Sequence, residues 1–361
     1  MIPVFRPHYD EREEAAVIEV LRSGWIGLGP RTEEFEKRFA ARVGARYAVG
    51  LNSATAALHI GLQVLGVQAG DEVVVPTLTF VSSAMAAQYL GATPVVCDVN
   101  ADDLAIDFDD AARRTTSKTR AIVAVLYGGK PLQAPDTETP ILYDCAHATG
   151  ANWSASGKLS AWSFHAVKNL ATGDGGMLTT DDEEQYLRAK RLRWLGIDKS
   201  TWDRAGAGEQ YWWEYRFEEV GYKAHMNDLA AALGLVQLEK LDEMQAIRHA
   251  LVKQYLEELR DVPGLELPEY DADSSWHMFV VRTERRNMLS RYLQERGIST
   301  GVHYKPIHLY PLYHKWDLPI AEQEWPKLLT LPLFPALTSE QVSQICDALK
   351  EGLRVFEHPG A

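Results

Sequence analysis

The chain has 361 residues, which a soft prior of roughly 150 residues per domain converts into about two domains, enough to bury a sizeable core. Its 37 basic and 50 acidic residues leave a formal net charge of −13 with no Lys/Arg-rich block to offset it, so a broad nucleic-acid surface is excluded. A phosphorylated small molecule is not excluded, because a few local donors suffice to hold one.

Cys97, Cys145 and Cys346 are far apart, share no paired spacing and are odd in number, which fits a reducing compartment. The opening MIPVFRPHYDEREE has no apolar signal core, and no run of about 18 uncharged apolar residues occurs, so a soluble cytoplasmic protein with no membrane partner is expected. The tail EHPGA is small and polar and reads as frayed.

In chain order, Glu11 to Leu21 reads as a short amphipathic helix ended by Ser23-Gly24, and Thr32 to Val43 as a second, with Phe35 and Phe39 on one face and Gly44 as its stop. Short apolar runs then predict strands at Tyr47 to Leu51, Glu72 to Val75, Pro94 to Asp98, Ala121 to Leu126 and Ile141 to Tyr143. Helical stretches, Thr55 to Val64 and Ser82 to Leu90, separate several of them. Near-continuous apolar strands alternating with helices predict an α/β fold with a mostly parallel sheet covered on both faces, and a ligand site at the strands' carboxyl ends. From Asp228 to Leu259 one long helical pattern follows, broken by Pro263-Gly264. A β-like run at Trp276 to Val281 and helices at Met288 to Arg296 and Ser339 to Leu353 suggest a smaller C-terminal α+β domain. The expected division is 1–245 and 246–361.

Four constellations could carry chemistry. In AVGLNSATAALHIGL a strand runs into a helix whose first residues include Ala54 and Thr55; exposed helix N-terminal amides bind phosphate, although an ordinary N-cap reads the same way. In ILYDCAHATGA, Asp144 ends a predicted central strand with His147 three residues on. A buried carboxylate there could hold a proton on a heteroaromatic nitrogen, or simply cap the next turn. In AWSFHAVKNLATGDGGMLTT, Lys168 lies between an apolar run and a glycine-rich turn. Most lysines are solvated, but a lysine downstream of a strand-end aspartate and a phosphate-type helix start has the chain order of a pyridoxal phosphate site. In PTLTFVSSAMA, Phe80 follows a strand, where it could face a planar cofactor ring or belong to the core.

Seven segments in one order, NSATAALHIGL, PTLTFVSSAMA, YDCAHATGA, SFHAVKNLATGDGGM, VGYKAHMNDLAAALGLVQLEKLD, GISTGVHYKPIH and LPLFPALT, resemble the DegT-type sugar aminotransferases, pyridoxal phosphate enzymes of fold type I. The resemblance runs from Trp25 to Leu337. It implies that Lys168 is the Schiff-base lysine and proton shuttle, that Asp144 pairs with the pyridinium nitrogen, and that His147 lies beside the ring hydroxyl. Phe80 would stack on the ring, and Ala54, Thr55 and Ser163 would hold the phosphate. It implies a homodimer with sites at the interface, the VGYKAHMND segment reaching the partner's cofactor.

Lys223 stands where many members have an asparagine that touches phosphate across the interface, and Ala224 and His225 replace the usual residues after it. A lysine there recurs in a subgroup that includes the UDP-4-amino-4-deoxy-L-arabinose aminotransferases, which LRWLGIDKSTWDR also resembles. The reaction implied is a ping-pong transfer from L-glutamate to a nucleotide-linked keto sugar, a 4-keto sugar first, with a 3-keto sugar or keto-cyclitol as alternatives. Trp25, Ile26 and Gly27, within the Trp25 to Gly29 stretch, together with His303, Tyr304 and His308, are candidates for the sugar pocket, with packing as the competing reading of Tyr304. No metal site is expected. A catalytically silent regulatory or sugar-binding protein of the same fold is the non-enzymatic alternative, against which the intact Lys168 and Asp144 argue. One further departure is the polar, Pro-containing stretch Leu132 to Pro140, too short for the helix usual there, so that face of the sheet should be covered by something else or be more exposed.

Overall fold

A computed structural model describes residues 1–197, 216–313 and 316–357. Two helices open the chain. The first, α1 (Glu11–Ser23), starts in a capping box between Asp10 and Glu13 and stops at Gly24, whose φ of 73° is left-handed. The second, α2 (Pro30–Val43), begins with proline in its first turn.

The large sheet then assembles from β1 (Tyr47–Leu51), α3 (Ala54–Val64), β2 (Glu72–Pro76), α4 (Ser82–Tyr89), β3 (Thr93–Cys97), α5 (Phe108–Arg114), β4 (Thr119–Val125), β5 (Ile141–Asp144), β6 (Leu159–Ser163) and β7 (Gly176–Thr180). Its order is β1-β7-β6-β5-β4-β2-β3, and β7 alone runs antiparallel to its neighbours. Helix α6 (Glu183–Arg193) follows.

Alternate side chains of each strand feed two cores. Val49, Val75, Val123, Leu142 and Leu178 pack under α3, α4 and α6, while Val74, Ile122, Tyr143, Trp162 and Met177 pack with Phe35 and Phe39 of α2 and Ala111 of α5. This is the α/β, fold type I aminotransferase architecture with a smaller C-terminal α+β subdomain.

The crossover from β4 to β5 carries no α-helix, only a 3-10 turn at Tyr127–Gly129, and the face it leaves is covered from downstream. Trp153 packs against Tyr143 with ring centroids 5.3 Å apart and tilted by 55°, donates its indole N–H to the Leu132 carbonyl at 3.0 Å, and carries the Lys158 ammonium 5.0 Å above its ring.

Helix α7 (Asp228–Glu258) runs through both parts of the molecule: Ala231 and Leu235 lie in the large core, Leu251, Val252 and Tyr255 in the C-terminal one. The expected boundary at 245/246 therefore falls inside one continuous helix. The subdomain adds β8 (Phe279–Arg282), α8 (Arg286–Glu295), α9 (Pro319–Glu324), β9 (Leu328–Leu331) and α10 (Ser339–Glu357), with β8 and β9 paired antiparallel. Ile2, at the other end of the chain, belongs to this core and bridges Ile298. A fourth cluster, including Leu78, Tyr127, Met278 and Leu328, joins the two parts.

The three cysteines are free and buried. Among the described residues no helix is long and apolar enough to cross a membrane. Residues 198–204 of LRWLGIDKSTWDR, and 358–361 of the tail, lie outside the described residues.

Candidate active site

Parallel strands deliver their last residues to one rim. Val125, Asp144 and Ser163 end β4, β5 and β6, and with the start of α3, the segment after β2 and the 165–175 loop they enclose a cavity of about 340 Å³. Of the residues singled out in the sequence, Ala54, Thr55, Phe80, Asp144, His147, Ser163, Lys168, His303 and Tyr304 all line it.

The floor is a buried carboxylate. Asp144 sits on the central strand, 4% exposed, with Oδ1 accepting the Ala146 N–H at 3.1 Å and Oδ2 accepting the Ser83 hydroxyl at 2.8 Å. Because a carboxylate only accepts, Ser83 must donate, and Thr79 Oγ1, 2.7 Å away, donates to Ser83 in turn. Burial raises the Asp144 pKa against the pull of Ser83, Ala146 and Lys168, which marks a carboxylate short of counter-charge.

Lys168 faces the same space. Burial lowers its pKa to about 8, opposed by Asp144, so a fraction of the amine is neutral and nucleophilic near neutral pH.

At the far end lies the N-terminus of α3. Ser53 caps it by accepting the Ala56 N–H at 3.1 Å, while Ala54 and Thr55 have no partner for their amides among the described residues and border the cavity. The amides come this close because residue 176 is glycine: a Cβ there would sit 2.6 Å from the Ala54 nitrogen and closer still to the Ser53 carbonyl.

The walls are aromatic. Phe80 remains 59% exposed at the mouth, 6.2 Å from the Tyr304 ring. His147 accepts the Gly128 N–H on Nδ1 at 3.3 Å, which leaves its proton on Nε2, 3.0 Å from the Tyr304 hydroxyl. Burial holds the His147 imidazole well below its ordinary pKa, with Lys168 and His303 adding to the effect, and it pushes the Tyr304 phenol up. His303 hydrogen-bonds Thr330 through Nδ1 at 2.8 Å and is lowered to about 4, mainly by burial.

Five expected residues lie elsewhere. Trp25 donates its indole to the Leu28 carbonyl, Ile26 is half exposed, and the Gly27 carbonyl accepts the Asp228 N–H at 2.8 Å, so this loop is pinned to the start of α7. Lys223 is exposed, with its ammonium 3.2 Å from the centroid of the Trp194 ring. His308, expected in the sugar pocket, is instead a buried latch between Thr77 at 2.6 Å and Glu322 at 3.1 Å.

Sequence reading did not single out Ser83, Asn169 or His277. Ser83 sits in a quoted motif but looks like any helix-start serine, and His277 lies in a β-like run where the structure places β8 only from Phe279.

A cation on a planar ring would supply the counter-charge Asp144 lacks, an anion would satisfy the α3 amides, and Lys168 stands in the space they bound; the donor set fits pyridoxal phosphate. The model of the DegT/DnrJ/EryC1/StrS aminotransferase family matches residues 7–350. The chain belongs to that family. Like other members it has the fold-type-I pyridoxal phosphate aminotransferase framework and is related to nucleotide-sugar aminotransferases.

The chain is 37% identical to the spore coat polysaccharide biosynthesis protein SpsC of Bacillus subtilis (strain 168), over 97% of this chain and 96% of that one. Among solved structures, Spr1654 from Streptococcus pneumoniae in its PMP form superposes with a TM-score of 0.91 at 32% identity, covering 98% and 99% of the two chains, and its PLP form with 0.88. The sugar aminotransferase CalS13 from Micromonospora echinospora gives 0.89 at 27% identity, covering 98% and 100%.

Proposed function

We propose that this family member binds pyridoxal phosphate in the described cavity and moves the amino group of L-glutamate onto a nucleotide-linked keto sugar, a 4-keto sugar in the first instance. The observation that carries the reading is the convergence of Lys168, the undercompensated Asp144 and the open α3 amides on one cavity. When bound, the cofactor supplies an electron sink that stabilises negative charge at the substrate carbon.

The chain's own residues do the rest. Lys168 Nζ would hold the cofactor through its amine and, when free of it, would carry a proton to and from the substrate carbon. Asp144 would keep a proton on the ring nitrogen, His147, Tyr304 and Phe80 would bound the ring, and Ala54, Thr55 and Ser163 would receive the phosphate.

Lys168 is the one cation lining the cavity among the described residues, so an anionic substrate asks for more positive charge than this copy provides. A homodimer with sites at the interface answers that need, Lys223 reaching the partner's cofactor. Apolar side chains left in solvent, Phe80 at the mouth and Val220 at 86% exposure three residues before Lys223, fit burial against a second copy. The loop from Trp25 to Gly27 would then approach the substrate across that interface. The same reading puts the protein in the cytoplasm, where nucleotide-linked sugars are made.

Protein loaded with pyridoxal phosphate should absorb at the edge of the visible range and lose that band on adding L-glutamate alone, and Lys168→Ala should abolish the band and turnover. Colour and a glutamate half-reaction surviving that change would remove Lys168 from the role. A panel of keto sugars then decides the acceptor: amination of a free keto-cyclitol only would sink the nucleotide-sugar reading.

A further inference from the structure

Behind Lys168 lies a chain of directed hydrogen bonds. Gln245, in the middle of α7, donates its amide N–H to the carbonyls of Gly150 at 3.2 Å and Ser275 at 3.1 Å, so its Oε1 is turned to Asn169. Asn169 Nδ2 is surrounded by acceptors: the Ser275 carbonyl at 2.8 Å, the Thr149 carbonyl at 3.3 Å and Gln245 Oε1 at 3.3 Å. Flipping the Asn169 amide would set oxygen against oxygen three times, so Oδ1 is the atom 3.2 Å from His277 Nδ1. That nitrogen must therefore carry the imidazole proton. The opposite nitrogen, Nε2, is left with a lone pair, and it lies 3.5 Å from Lys168 Nζ.

The ring has little freedom to do otherwise. Phe5 stacks on it at 5.0 Å and 5°, His147 packs at 4.6 Å, and the His277 backbone N–H is tied to the Gly128 carbonyl at 3.0 Å. Lys168, His147, His303 and Arg248 all disfavour a second proton on this buried ring.

We propose that His277 is the positioning residue for the Lys168 amine, held by Asn169 and Gln245 as the Nδ1–H tautomer so that Nε2 accepts a hydrogen bond from Nζ. It rests on Lys168 being the reacting amine. The device matters in the interval when Lys168 is not attached to the cofactor: a four-carbon stem would otherwise sample several rotamers, and the accepted hydrogen bond keeps the amine at the place it must act from. It also favours the protonated amine, offsetting part of the burial that drives the Lys168 pKa down, with Asp144 acting in the same direction, while His147 and His303, their own pKa values lowered, are neutral where Lys168 titrates and add no charge.

The test uses the cofactor-free protein, so that its outcome is separate from that of the transamination assay. In protein with 15N-labelled histidine, the His277 ring should show a protonated Nδ1 and a bare Nε2 at neutral pH; a protonated Nε2 overturns the proposal without any substitution. The pH dependence of acetylation at Lys168, read by mass spectrometry of its peptide, should move to lower pH by about one unit in folded His277→Phe, a tenfold change in the ratio of protonated to neutral amine at a given pH. His277→Gln, which can still present an acceptor, should restore part of the shift. An unchanged Lys168 profile in folded His277→Phe would overturn the proposal. Loss of the glutamate half-reaction reading would leave these measurements standing.

Discussion

Ser83 Oγ donates to Asp144 Oδ2 at 2.8 Å, with Thr79 behind it, so the start of α4 supports the charged form of the buried carboxylate in the cavity against the burial that raises its pKa. A hydrogen bond to a charged group contributes about 1.5–3 kcal/mol. Ser83→Ala should raise the Asp144 pKa further and weaken its hold on a cationic ring nitrogen. The expected result is at least a tenfold loss in pyridoxal phosphate affinity, measured by titrating cofactor-free protein, with wild-type circular dichroism.

Gly176 sets how near the sheet lies to the start of α3. The Cβ of Gly176→Ala would press on backbone atoms of Ser53 and Ala54, which cannot rotate away. Overpacking of this kind costs about 1–3 kcal/mol, and here it also displaces the two open amides. The variant should melt lower and bind inorganic phosphate and pyridoxal phosphate more weakly. Unchanged binding of both would show that the phosphate does not sit on these amides.

His308 gives a contrasting case. Its two contacts, one buried with Thr77 and one with the half-exposed Glu322, tie the turn after Pro306 to the end of β2 and to α9. His308→Ala leaves Thr77 without its buried partner, a loss of about 1–3 kcal/mol. The melting temperature should fall while the KM for the sugar stays within twofold. A large rise in KM at unchanged stability would return His308 to the substrate pocket.

The imidazoles set the acid limit. His147 and His277 are held well below the ordinary histidine pKa by burial, and His303 and His225 are lowered to about 4 by burial with nearby cations. Below about pH 6.5 the unfolded chain takes up protons that the folded one refuses, so stability falls as pH drops and is regained as pH rises through that value. Each such histidine contributes a slope of about 1.4 kcal/mol per pH unit until its own folded pKa is reached. Urea unfolding of cofactor-free protein at pH 7, 6 and 5 should give a slope steeper than one histidine alone. A flat profile would mean these rings are not neutral.

Much of this was legible in the chain because the signals are local. Tyr47 to Leu51 is a strand with the bounds its apolar run predicts, and the helix after it starts one residue before the expected Thr55. The antiparallel β7 was not legible: Gly173-Asp174-Gly175-Gly176 reads as a turn, and GMLTT after it is too short to show its direction. Nor was the covering of the shortened crossover, since Trp153 meets Tyr143 only once β5 and the loop after it have folded together.

The candidate site divides the same way. Lys168, Asp144 and Ala54 announce themselves through strand ends, a helix start and a glycine turn. The partners that orient them, Ser83 for Asp144 at 61 positions' distance and His277 for Lys168 at 109, are joined only by tertiary structure.

Helix α7 is anchored along its whole length. Asp228 accepts from the Thr32 backbone and hydroxyl at 2.9 and 2.7 Å, Lys240 is buried against Glu13 at 2.9 Å, Gln245 holds Asn169, Arg248 donates to the Trp276 and Leu333 carbonyls, and Tyr255 donates to the Pro332 carbonyl. Its 31 residues form a rod of about 46 Å. Swinging the C-terminal subdomain away from the sheet would mean breaking this rod or tearing out those anchors. The helix that ties the subdomain to the sheet is thus also the one that holds Gln245 against Asn169 behind the cavity.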